Sequence, residues 1–483
     1  MIEYKQLAPD LKISRVLTGL WQIADLERDG TTLDPVASAK FMAAYVDAGF
    51  TTFDMADHYG SAEIIAGQFK NHEPSGHQAQ LFTKWVPKPG VVSRAEVREA
   101  VQTSLDRMQV DKLDMLQYHA WNYSDPAWLD SLFYLQELKS EGLIAHLGLT
   151  NFDAAHLRIA LASGIEILTN QVSYSLIDQR AATTMTEVCE QYGVHLLAFG
   201  TVAGGFISEK WLGMPEPKAE QLTTWSQMKY KRFIDVAGGW EKFQTLLKIL
   251  DGIAREKSVS ISTVSSRYML DSPAVGGIIL GARLGQGNHV EENLATFELQ
   301  LSKEHRDAIA KATSSLQAIP GGCGDEYRKP PFLTATGDLS DHIESLPPVF
   351  STVSDDANKQ RVFSGVEWED MAGYCRAVRS GQRILVSGTT ATHGERQIGG
   401  QDPAAQTHYV IDKIQAAIES LGGKLEDVER TRIFISDIAH WEAVARAHGE
   451  RFAEIRPANT LVQARLIGEE YLVEIEAEAT IST

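Results

Sequence analysis

From the N-terminus to about residue 316, short apolar β-branched runs alternate eight times with longer segments of helical period. The candidate strands are residues 13–20, 51–56, 80–85, 113–119, 144–150, 166–173, 195–200 and 275–281. Between them, stretches such as PVASAKFMAAYVDAGF and SRAEVREAVQTSLDRMQ repeat apolar residues at spacings of three and four, and several close on Gly. Parallel strands need such crossovers, because a tight turn cannot carry the chain back to the start of a neighbouring strand. Eight units over this length predict a (β/α)8 TIM barrel. The rival α/β architecture, an open doubly wound sheet, normally carries G-x-G-x-x-G directly after a strand. The nearest string, GARLGQGN at 281–288, has the wrong spacing and follows the last strand instead of the first.

The full chain has 483 residues, more than one core sustains, since single cores stop growing near roughly 250–300 residues. The expected seam is 318–352, where Gly, Pro, Ser and Asp gather without period. Domains are therefore expected at 1–317 and 353–483. The second restarts with two strands, a helix from PAAQTHYVIDK, a strand (VERTRIFISDI), a helix and two closing strands, the ββαβαββ order of an α+β domain with helices on one sheet face. With 45 basic against 64 acidic side chains, the net charge of −19 repels nucleic acid and anionic membranes. Cys189, Cys323 and Cys375 are widely spaced, which argues against a disulfide framework or a thiolate metal site and fits a reducing cytoplasm. The first residues lack signal-peptide character, and no run of about 18 apolar residues occurs.

In a parallel barrel the reactive groups close the carboxyl ends of the strands. The second strand ends FDMADHYG, with Asp54 and Tyr59; the third ends LFTKW, with Lys84; the fourth ends LQYHAW, with His119. A phenol is a weak proton donor at neutral pH, and an adjacent ammonium is expected to lower its pKa. Lys84 supplies that ammonium in this reading, Asp54 keeps it charged and aimed, and His119 orients a substrate oxygen. Trp21, Trp85 and Trp121 follow strands one, three and four; they either wall an apolar pocket or pack beneath loops.

With these strings in hand, residues 1 to about 316 resemble the aldo-keto reductases, whose fold is a (β/α)8 barrel and whose tetrad is Asp, Tyr, Lys and His. GLTNF at 148–152 is similar to the family's G-x-S-N-F string, with Thr150 in place of Ser. The resemblance implies that Thr150, Asn151 and Gln171 bind a nicotinamide carboxamide and that Phe199 stacks on the ring. Gly200 follows where the family usually has Ser-Pro. It further implies that Lys210 reaches the pyrophosphate, and that Gly281, Arg283, Glu292 and Asn293, in ILGARLGQGNHVEENL, grip the adenosine phosphate. Arg283 is either a partner for a 2′-phosphate, favouring NADPH, or an exposed surface side chain. The implied reaction is reduction of a small-molecule carbonyl.

Residues 365–481 resemble the RidA (YjgF) family, homotrimers with clefts between subunits, some of which hydrolyse enamines or imines. VRSGQRILVSGTTAT, IRPANTL and YLVEIEAEA carry the likeness. Asn459 stands where deaminating members place a carboxylate-binding Arg, while Glu474 matches an acidic position of the family. The expectation is a homotrimeric carbonyl reductase. A bifunctional deaminase–reductase and an NADPH-sensing module are the alternatives.

Overall fold

The computed structural model describes residues 2–285, 289–329, 346–356 and 359–481. A hairpin of β1 (Tyr4–Ala8) and β2 (Leu11–Ser14) precedes the barrel strands β3 (Val16–Gly19), β4 (Thr52–Asp54), β5 (Gln80–Trp85), β6 (Leu113–Tyr118), β7 (Ile144–Thr150), β8 (Ile167–Ser173), β9 (His195–Phe199) and β10 (Val275–Gly281). The barrel strands pair in parallel, in chain order, and β10 closes on β3. This is the expected TIM barrel. One expected strand divides: residues 13–20 contribute to both β2 and β3, and the break falls at Arg15. Its backbone N–H donates to Glu3, and its guanidinium donates to the carbonyls of Leu270 and Val275 at 2.5 and 3.2 Å.

Leu7, Leu11 and Ile13 pack with Leu17, Phe82, Met115 and Leu197 in a core of their own, so the hairpin closes the amino end of the barrel. The carboxyl end is left for chemistry. Surrounding helices obey local rules. Arg94–Met108 begins at a capping box of Ser93 and Glu96 and stops where Gln109 turns left-handed.

In the second domain, β11 (Thr352–Asp356), β12 (Lys359–Val362), β13 (Ala377–Ser380), β14 (Arg383–Thr389), β17 (Val428–Ile435), β18 (Ala458–Gln463) and β19 (Val473–Thr480) form one sheet in the order 11-12-13-14-19-17-18. A small hairpin, β15 (Thr392–His393) and β16 (Arg396–Gln397), stands apart from it. The expected ββαβαββ series is present, and β11 and β12 extend its edge. They are short and polar, without the apolar alternation that marks a half-buried strand.

The helix Pro403–Ser420 is buried nearly all round, because the sheet lies against one side and the barrel helix Ala154–Ala162 against the other. Polar ties cross this boundary. Arg158 Nε and the Tyr192 hydroxyl donate to Asp402 at 2.7 Å each, and the Ser124 hydroxyl donates to Glu419 at 3.0 Å. Among the described residues, no helix is long and apolar enough to cross a membrane.

Of the segment expected as a linker, 330–345 lies outside the described residues, but its beginning is built into the barrel mouth. Cys323, Asp325, Glu326 and Arg328 are buried. Arg180 makes the anchor: it forks onto Asp178 at 2.7 and 2.8 Å and reaches Glu326 and the Gly322 carbonyl at 2.7 Å each. Burial alone would raise the Glu326 carboxyl, but Arg180 and Lys229 outweigh it and hold the pKa at about 2.

Arg180→Met would strand two buried carboxylates, and the expected loss is about 3–5 kcal/mol in denaturant unfolding; a loss under about 1 kcal/mol would mean that Arg180 anchors nothing. A carboxyl lowered by folding contributes stability that is complete above its ordinary value and lost as pH falls through the folded one. Acid unfolding of the wild-type chain should therefore draw on Glu326 between its ordinary 4.5 and about 2, and Glu326→Gln should flatten that limb.

Candidate active site

The polar centre follows from strand register. Asp54 ends β4, Lys84 lies on β5, and Lys84 pairs with Gln117 on β6. Lys84 Nζ donates to Asp54 Oδ2 at 2.6 Å and to the Met55 carbonyl at 2.8 Å. Asp54 Oδ1 accepts from Gln117 Nε2 at 3.0 Å and Gln171 Nε2 at 2.7 Å. Asp54 and Lys84 are only 3% and 4% exposed, a depth at which a charge is tolerated only when paired and hydrogen-bonded.

Tyr59 stands above this pair, with its ring centroid 5.2 Å from Lys84 Nζ and the Trp21 ring edge-on at 4.9 Å. His119 completes the group: its Nδ1 lies 3.4 Å from the Thr150 carbonyl, and Trp121 meets it edge-on at 4.4 Å. All four residues of the expected tetrad line one cavity of about 600 Å3, together with Trp21 and Trp121.

The expected acidification of Tyr59 is not what the resting site provides. Burial, followed by the negative charge of Asp54, pushes the phenol well above its ordinary value. Lys84 does not offset this, because its charge is spent on Asp54. Burial in turn lowers the Lys84 ammonium, with Asp54 opposing. Tyr59 therefore holds its proton firmly at neutral pH, which keeps a donor in its donating form.

Thr150, Asn151, Gln171, Phe199, Gly200 and Gly281 line the same cavity. Asn151 Oδ1 is buried with no hydrogen-bond partner among the described residues. Gln171 gives its amide nitrogen to Asp54 and to Gln117 at 2.9 Å, so its side-chain oxygen is what it can offer a ligand. The Thr150 hydroxyl donates to the Gln171 carbonyl at 3.3 Å. A wall with an unmet acceptor beside further oxygen acceptors suits a primary carboxamide. The residues present thus fit a nicotinamide, which Thr150, Asn151 and Gln171 would hold with Phe199 beside it. Gly200 has φ +76, and any Cβ there would collide with the Tyr230 hydroxyl, a packing reason for the residue in this loop.

Five expected residues lie elsewhere. Trp85 follows Lys84 on the same strand and so points to the opposite face, where it packs on Tyr118 at 5.5 Å; its expected place in the pocket is corrected by simple alternation. Lys210 is exposed beside Trp211. Its neighbour Glu209 caps the start of helix Ile261–Leu270, accepting from the Ile261 N–H at 2.6 Å. Glu292 Oε1 accepts from the Ser260 and Ser262 hydroxyls at 2.7 and 2.6 Å. His289 foremost, against burial, holds its pKa at about 2. Asn293 is buried on the helix Val290–Glu298. Arg283 is partly exposed and faces Asp25 at 3.5 Å. Residues 286–288 of the expected phosphate-gripping segment lie outside the described residues.

Other residues at the site escaped the sequence reading. Gln117 was within reach of it, standing two positions before His119 and hence on the same face. Lys229, Tyr230 and Tyr327 also line the cavity. Lys229 Nζ donates to the Tyr327 hydroxyl at 2.6 Å and lies 4.9 Å from the Phe199 centroid. They come from the insert after β9 and from the segment after the barrel, where no period marks an inward face.

The aldo/keto reductase family model matches residues 15–314, and the endoribonuclease L-PSP family model matches 366–481. An uncharacterised protein of Streptomyces coelicolor is 40% identical over 121 residues, covering 25% of this chain and 90% of its own. The NADH-specific methylglyoxal reductase of Escherichia coli is 24% identical over 348 residues, covering 64% of this chain and 97% of its own. The glycerol dehydrogenase of Gluconobacter oxydans superimposes with a TM-score of 0.55 at 21% identity, covering 66% and 97% of the two chains, a likeness of fold. With a family match over more than half its length and the Asp, Tyr, Lys and His groups gathered in one barrel mouth, the chain belongs to the aldo/keto reductase family of nicotinamide-dependent carbonyl oxidoreductases and carries a RidA-like domain behind the barrel.

Proposed function

We propose that the protein is a cytoplasmic NADPH-dependent reductase of small carbonyl compounds that assembles as a homotrimer through its second domain. The observation that carries the reductase reading is the meeting, in one cavity, of the Tyr59–Lys84–Asp54–His119 group with the unmet acceptor of Asn151. A reduced nicotinamide held by Thr150, Asn151 and Gln171 would supply hydride to the carbonyl carbon.

The side chains do the rest. His119 orients the carbonyl oxygen, and Tyr59 gives its proton to that oxygen as negative charge develops. Asp54 holds Lys84 beneath the Tyr59 ring, and the ammonium–ring contact fixes where the phenol stands. Gln117 and Gln171 fix the Asp54 carboxylate and so the position of Lys84. Trp21 and Trp121 exclude water and favour an apolar substituent.

Arg283 supports the choice of NADPH, since its guanidinium is partly exposed, with Asp25 at 3.5 Å its ion-pair partner among the described residues, and has donors left for a phosphate. Exposed Leu385, Ile438, Trp441 and Val462 on the second domain support trimerisation. Asn459 supports an assembly role over deamination: its amide donates to the Thr431 hydroxyl at 2.9 Å and carries no charge for a carboxylate. Arg456, three residues before it in the chain, donates to the carbonyl of Ala453, just past the helix Trp441–Phe452.

Tyr59→Phe should lower kcat for aldehyde reduction by about 100-fold or more while quenching of bound NADPH titrates as in the wild type; retained turnover would remove Tyr59 from the mechanism. Arg283→Ala should raise the KM for NADPH by about tenfold and leave that for NADH almost unchanged. Equal effects on both would exclude a 2′-phosphate contact. Light scattering of the full chain should give three times the 53.2 kDa protomer mass, and a monomer would overturn the assembly reading.

A further inference from the structure

The turn that carries Asn151 is backed by the segment Gly324–Arg328, which is itself backed by Tyr123 and His156. Asn151 has φ +60, a left-handed conformation that side-chain-bearing residues adopt at a cost and keep only when their surroundings enforce it. Its carbonyl oxygen accepts from an Arg328 guanidinium nitrogen at 2.8 Å. Gly324 lies so close to that oxygen that any Cβ would collide with it. The Arg328 guanidinium also lies 4.3 Å from the Tyr123 centroid, and Tyr123 stacks face to face on His156, centroids 3.5 Å apart and planes inclined by 6°.

His156 is where the second domain enters. Its Nδ1 faces Asp153 Oδ1 at 2.7 Å, and its Nε2 faces Asp412 Oδ2 at 3.0 Å. Asp412 lies on the helix Pro403–Ser420 and accepts on its other oxygen from Arg451 at 2.6 Å. The charged and titratable groups around the ring are Asp153 from its own turn, Asp412, Arg451 and His408 from the second domain, and Tyr123 and Arg328 from the barrel mouth. Burial favours the neutral imidazole, but the two carboxylates outweigh it and raise the His156 pKa above its ordinary value. Clamped on both nitrogens and stacked on one face, the ring has a single orientation, and that orientation supports Tyr123, then Arg328, then the Asn151 carbonyl.

We infer that Asp412 is a positioning residue for the reductase site: from the second domain, through the His156 ring, it fixes the turn that presents the Asn151 amide to the cavity. The second domain is thus a working part of the barrel's binding wall. The effect on cofactor rests on the nicotinamide reading given above; the mechanical coupling from Asp412 to Asn151 does not.

Two measurements on the full chain separate these. Hydrogen exchange of peptides spanning 149–157 and 321–328 reads the coupling without any ligand, and fluorescence titration with NADPH and NADH reads its effect on binding. In Asp412→Asn and in His156→Gln, exchange in both stretches should rise, and the Kd for the preferred dinucleotide should rise about fivefold. The kcat at saturating dinucleotide should fall by less than about twofold. In the wild type, affinity holds until pH passes the raised His156 pKa, whereas in Asp412→Asn the decline begins at lower pH because one supporting carboxylate is gone. Val362→Ala removes buried volume from β12 of the same domain, a strand that carries none of these residues; it should lower the melting temperature and leave exchange at 149–157 and the Kd as they were. Unchanged exchange and Kd in Asp412→Asn, or an equal loss in Val362→Ala, would overturn the inference. A wild-type chain that binds neither dinucleotide, yet shows the exchange response to Asp412→Asn, would overturn the cofactor reading and uphold the coupling.

Discussion

Two opposite charges are buried side by side at the barrel mouth, and the rest of the site is arranged around keeping them there. Asp54 and Lys84 meet because β4 and β5 pair with Asp54 opposite Phe82, which leaves Lys84 two residues further along, just above the end of the shorter strand. The next pairing puts Gln117 opposite Lys84, and the one between β7 and β8 puts Gln171 beside Thr150. Each partner of the ion pair is thereby supplied by a neighbouring strand of a closed sheet, which cannot slip by one residue without turning every inward side chain outward.

The pair governs the phenol above it. A free ammonium beside Tyr59 would draw its proton away, but an ammonium already neutralised by a carboxylate at 2.6 Å has little field left to do so. Burial then dominates, and Tyr59 stays protonated. A phenol kept in that form is ready to donate when negative charge develops on an oxygen beside it, the moment at which donation lowers a barrier.

The open side of the cavity is completed by chain that the barrel pattern does not contain. Arg180 draws Glu326 inward, Tyr327 and Lys229 close over Phe199, and Arg328 braces Asn151. Behind these, the helix Pro403–Ser420 belongs to two packings at once, which explains why polar residues such as Gln406, His408 and Asp412 are buried on it. An ordinary surface helix of an α+β domain would turn such residues to water.

The eight barrel strands were legible because the pleat and the helical turn are local periods, and residues closing each strand, Asp54, Lys84 and His119 among them, are found by counting along the chain. The same counting would have turned Trp85 outward and Gln117 inward. It had no hold on β11 and β12, whose sequences lack apolar alternation, or on Lys229 and Tyr327, which sit in aperiodic chain. The sequence by itself determined the barrel, the RidA-like domain after it and the strand ends that bring Asp54, Tyr59, Lys84 and His119 to one cavity. Only the tertiary structure decided the protonation of Tyr59 and the bracing of Asn151, because burial and charge at a point are set by partners as distant as Asp412, 256 residues from His156, and no local period records such a meeting.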